Sequence, residues 1–84
     1  MKTGGVKQFI KHFESLPAEV NGQSYRARIY FNTSKEDYYP ISRNYYEKAM
    51  FYENGAVELY QKDGDYVLFD ATSVYKIEIT RPGG

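Results

Sequence analysis

Cysteine and tryptophan are absent from this chain, histidine occurs once, and the net charge is zero. Without cysteine there can be no disulfide, no thiolate metal site and no thiol nucleophile, a composition that fits a reducing compartment. The eleven basic and eleven acidic side chains cancel, which argues against a general polyanion binder and equally against an acidic DNA mimic. No apolar run is long enough for a signal peptide or a membrane span, so a cytoplasmic protein without a membrane partner is expected. The phosphate-cradling glycine loop, the Gly-x-Ser-x-Gly elbow and the His-Glu-x-x-His helix are all missing. His12 has no second ligand or nucleophile at a usable spacing. Asp63-Gly64-Asp65 lacks the further oxygen ligands that a calcium loop needs. The expectation is therefore a protein that is not an enzyme, with no catalytic residue, no metal and no cofactor.

What remains is strongly aromatic. Tyrosine occurs ten times against five phenylalanines in 84 residues, enough for one domain spanning residues 1–84 and too few for a second core. Val6, Phe9, Ile10, Phe13 and Leu16 fall at i, i+3, i+4, i+7 and i+10, which predicts an amphipathic helix over about 5–16. Thr3 or Gly4 is expected at its N-cap, and Pro17 ends it because the residue before proline avoids the helical region. A helix this short must dock on something.

That support is expected to be a sheet. Asn21-Gly22, Asn54-Gly55 and Asp63-Gly64 are the dipeptides of two-residue hairpin turns. They delimit strands at about 18–20, 24–31, 47–53, 56–62 and 65–69, followed by a last strand at 74–80 and a tail at 81–84. An irregular, tyrosine-rich connection is expected over 32–44. The predicted fold class is α+β: an N-terminal amphipathic helix packed on a strongly bent, mostly antiparallel sheet of about five strands, with a small, partly open barrel as its most curved form.

Two-residue turns fix pairing, and pairing fixes faces. In that register Tyr52, Met50, Val57, Leu59 and Leu68 share the core face. Phe51, Tyr60, Val67, Phe69 and Ala49 collect on the other, with Glu58 among them. A one-sided sheet should be polar on its second face. Curling into a barrel, a partner molecule, or the tyrosine-rich connection folding over would each account for the apolar excess. Within Tyr38-Tyr39 and Tyr45-Tyr46, one ring of each pair is expected to pack inward and its neighbour to face solvent, since adjacent residues of an extended segment point opposite ways.

Tyrosine gives large contact area at small entropic cost. The first functional expectation is accordingly a small non-enzymatic protein-interaction module using Tyr38, Tyr39, Tyr45, Tyr46, Phe51, Tyr60 and Phe69. Its partner is another protein or a second copy, as a homodimer. The alternative is a single-stranded nucleic-acid or nucleotide-binding module, with an Sm-like or OB-like small barrel, using Arg26, Arg28 and Tyr30 together with Lys7 and Lys11. A helix followed by about five short, bent strands resembles the Sm-like layout, and that resemblance implies subunit rings that bind RNA or nucleotides. Arg81-Pro82-Gly83-Gly84 resembles the conjugated tail of ubiquitin-like and sulfur-carrier proteins. Those families open with a β-hairpin where this chain opens with a helix, so the segment is read as a frayed tail. In size and Lys/Glu/Asn/Tyr-rich composition the chain is similar to phage and prophage proteins of low-GC bacteria, a likeness that implies an inhibitor or regulator of a host protein, anti-defence proteins among them.

Overall fold

The apolar stripe becomes a helix, α1, at Thr3–Ser15, in a computed structural model that describes residues 1–83 and, at Lys35, the backbone. Val6, Ile10 and Phe13 are buried, and Phe9 and Leu16 pack beside them. Leu16 is extended (φ −78°, ψ 148°) and its N–H donates to the carbonyl of Phe13, as the following proline requires. Neither Thr3 nor Gly4 caps the first turn. Lys2 holds that position and makes no side-chain cap. The Met1 ammonium instead reaches across to the carbonyl of Val74 at 2.6 Å.

Six strands follow: β1 (Arg26–Phe31), β2 (Ser34–Ser42), β3 (Tyr46–Phe51), β4 (Ala56–Gln61), β5 (Tyr66–Asp70) and β6 (Val74–Thr80), with a 3₁₀ turn at Ala71–Ser73. They form two antiparallel three-stranded sheets, ordered β2-β1-β6 and β3-β4-β5. The fold is α+β, as expected, but the sheet is split in two and no closed barrel forms among the described residues. Ala27, Ile29, Ile41 and Val74 of the first sheet meet Val57, Leu59 and Phe69 of the second, with Tyr46 and Ala71, under the helix stripe.

Three further expectations are corrected. No strand forms at 18–20, where Val20 makes only an isolated bridge to Gln23. The connection at 32–44 is mostly strand β2, whose Pro40 is tolerated because β2 is an edge of its sheet. The third concerns register. Asn21-Gly22 is a two-residue turn with both residues at positive φ (52° and 78°). The other two corners are one residue longer. The N–H of Tyr52 donates to the carbonyl of Ala56, and that of Gln61 to the carbonyl of Asp65. Each of these loops has three residues, and only the last, Gly55 or Gly64, has positive φ. Asn54 and Asp63 stay at negative φ, and their side-chain oxygens accept the N–H two residues on, at 3.0 Å in both loops.

One extra loop residue moves every partner by one. Phe51 opposes Val57, Ala49 opposes Leu59, Phe69 opposes Val57 and Val67 opposes Leu59. Phe51, Phe69, Ala49 and Val67 therefore face inward with Val57 and Leu59, whereas Met50, Tyr52, Leu68 and Tyr60 face outward. The expected second apolar face does not exist as a unit, because Phe51 and Phe69 lie on one side of the sheet and Tyr60 on the other.

Candidate functional site

The corrected register builds the outer face of β3-β4-β5. Across the strands, Met50, Glu58 and Leu68 form one row and Lys48, Tyr60 and Tyr66 the next. Glu58 is the hub: Tyr52 Oη donates to one carboxylate oxygen and Tyr60 Oη to the other, at 2.5 Å. These two bonds hold the Glu58 carboxyl below the ordinary carboxylate range. The same bonds raise both phenols, that of Tyr60 to about 12, because ionising either ring removes the donated proton and sets two anions together. Lys48 Nζ sits 5.3 Å over the Tyr60 ring, and Tyr60 stacks on Tyr66 at 5.7 Å.

Around this hub the apolar groups are left open to solvent. Tyr66 is 62% and Leu68 61% exposed, with Met50 and Tyr52 also exposed. The hydrogen-bonded Tyr52 and Tyr60 rings thus lie beside uncovered Met50 and Leu68 on one open sheet face.

The seven expected contact residues are not brought together. Of each tyrosine pair one ring is inside: Tyr46 is buried and Tyr39 packs on the core, while Tyr45 and Tyr38 are exposed. Tyr46 Oη donates to Glu14 at 2.6 Å, and burial, followed by that bond, raises its pKa. Tyr39 Oη accepts from Gln61 Nε2 at 2.9 Å, tying β2 to β4. Phe51 and Phe69 belong to the core side. Only Tyr60 lies in the exposed patch. Met50, Tyr52 and Leu68, which the patch exposes, fall outside the expected set because a two-residue turn assigns them to the core, and Tyr66 is exposed beside them.

Arg26, Arg28 and Tyr30 do share the outer face of β1, but the Tyr30 ring is already covered. Tyr30 is 8% exposed, between Tyr38 (5.4 Å) and Lys76 Nζ (4.8 Å). Arg28 lies 4.6 Å over Tyr38, and Lys76 pairs with Glu78 at 3.5 Å. Lys7 and Lys11 stand apart from this set, on the helix beside Ala49 and Phe51, with Lys7 Nζ 5.6 Å over the Phe51 ring. His12 lines a shallow groove with Leu16, Tyr25, Ile79 and Arg81. Among the described residues no three His, Cys, Asp or Glu side chains are grouped to hold a metal, and no helix is long and apolar enough to cross a membrane. Gly84, the end of the Gly-Gly tail, lies outside the described residues.

No protein family, curated protein or solved structure matches the chain.

Proposed function

We propose that this protein is a small, non-enzymatic protein-interaction module, acting in the cytoplasm through the outer face of β3-β4-β5. The supporting observation is the row Met50–Glu58–Leu68 with Tyr52 and Tyr66 beside it: large apolar and aromatic groups on one open sheet face. Isolated exposed apolar residues are ordinary, but contiguous ones around a fixed polar centre are what interface cores use. Glu58 gives the patch a negative centre and Lys48 a positive edge, so a partner has both charge and shape to match. The compositional likeness to phage and prophage proteins favours a regulator or inhibitor that occupies a host protein.

The nucleic-acid reading is weaker on the face it needs, because Tyr30 is enclosed and Arg28 and Lys76 are engaged with neighbouring rings and Glu78. Stacking a base requires an open ring.

A tagged chain and its Tyr66→Ser/Leu68→Asp variant can be used as paired baits in lysate, with sedimentation velocity on each alone. The expected result is one polypeptide, or a second copy of the chain, retained by the parent and lost from the variant at unchanged unfolding midpoint. Removing a central anchor typically costs about 2 kcal/mol or more, some thirtyfold in affinity. Identical behaviour of the two baits, both monomeric, would eliminate this surface.

A further inference from the structure

The chain contains four arginines, and two of them are engaged: Arg28 over the Tyr38 ring, and Arg43 on the carbonyls of Leu16 and Glu14 at the helix end. The other two, Arg26 and Arg81, have no ion pair or hydrogen bond among the described residues. They line the same cleft, a volume of about 530 Å³ between the start of β1, the β2–β3 corner and the segment after β6. Asn44 and Tyr45 line it too. Asn44 Oδ1 is buried without a hydrogen-bond partner, although the backbone N–H of the same residue is satisfied by Ser24 Oγ at 3.1 Å. Tyr45 presents an exposed ring.

From this juxtaposition we infer that the cleft is a binding site for a small phosphomonoester carrying a planar, N–H-bearing ring, the chemistry of a nucleoside monophosphate. Each feature asks for a different part of that ligand. Two guanidiniums with no ion pair among the described residues suit a phosphate, since the planar fork of arginine matches phosphate oxygens. A buried acceptor with no donor costs about 1–3 kcal/mol, and a ligand N–H removes that penalty. An open tyrosine ring stacks on the base. The volume lies in the range of small-molecule sites. The site is separate from the outer face of β3-β4-β5 and does not depend on the function proposed for that face.

Calorimetry and amide NMR with AMP, GMP, CMP and UMP, alongside inorganic phosphate and the unphosphorylated nucleosides, test it directly. At least one monophosphate is expected to bind with a Kd of about 1 mM or tighter, shifting the Asn44 and Tyr45 resonances. Arg26→Ala and Arg81→Ala, both surface changes, should each weaken that binding about tenfold with the unfolding midpoint unchanged. The assignment fails if no monophosphate binds, if the shifts centre elsewhere, or if both arginine variants bind like the parent. It fails as well if inorganic phosphate binds as tightly as the nucleotides, which would mark a bare anion site.

Discussion

Glu58 is the residue on which the outer patch is organised, and its chemistry makes that organisation dependent on pH. Its carboxyl is depressed from the ordinary 4.5 by the Tyr52 and then the Tyr60 hydroxyl. This contribution to stability is present above the ordinary value and is lost as pH falls through the lower, folded value. The Tyr60 phenol is raised from 10.0 to about 12, chiefly by its bond to Glu58, so that contribution is complete below about pH 10 and disappears as pH rises through about 12. Ultraviolet titration of the parent should show a tyrosine ionising near 12 that moves back towards 10 in Glu58→Gln. An unchanged profile would show that the pair does not hold in solution. A second residue prediction concerns Tyr46, buried with its hydroxyl on Glu14 at 2.6 Å. Tyr46→Phe should lower the unfolding free energy by about 1 kcal/mol or somewhat more, since the acceptor is charged. Tyr46→Ala should lower it by about 3–5 kcal/mol by opening a cavity. Denaturant titration separates the two.

Among the elements, the hairpin loops decide most. Gly64 has φ of +96° with open space where a Cβ would stand, so Gly64→Ala isolates backbone strain from packing and should cost about 1–2 kcal/mol. D-alanine at the same place in a synthetic chain should stabilise the protein, because positive φ suits it. If both substitutions destabilise equally, strain is not the cause. The helix end gives a complementary case. Arg43 Nε donates to the carbonyl of Leu16 and Nη2 to that of Glu14, both at 3.1 Å, which satisfies orphan carbonyls at the negative pole of α1. Arg43→Ala should cost about 1–3 kcal/mol, with the loss of amide protection greatest in the last helical turn.

For the whole molecule, one core joins what the topology separates. The two sheets are not hydrogen-bonded into one, but both inner faces pack with Val6, Ile10 and Phe13 of the helix. Phe13 lies near Phe9 and edge-on to Tyr46, at 5.5 and 5.8 Å. Phe13→Ala should therefore destabilise β1 and β4 together, by about 3–5 kcal/mol. Native-state hydrogen exchange would show equal losses for the slowest amides of both sheets. Loss confined to one sheet would mean that the halves unfold independently.

The amphipathic stripe, the stop at Pro17, the α+β class and the inward-and-outward split of each tyrosine pair were legible in the sequence, because each is local: spacing along three or four turns, or two adjacent residues, settles it. The strand at Ser34–Ser42 was hidden by Pro40, which a central strand would reject and an edge strand accepts. The hairpin register was hidden for a deeper reason. Lys48-Ala49-Met50-Phe51-Tyr52 and Tyr66-Val67-Leu68-Phe69 are apolar at both odd and even positions, so alternation assigns no inner face. Asn-Gly and Asp-Gly suit two-residue and three-residue loops alike. Packing against the first sheet and the helix selected Phe51, Val67 and Phe69 for the interior. That choice, made only when three elements meet, left Met50, Tyr52, Tyr66 and Leu68 exposed, while the pairing of β1 with both β2 and β6 set Arg26 beside Asn44, Tyr45 and Arg81 in one cleft.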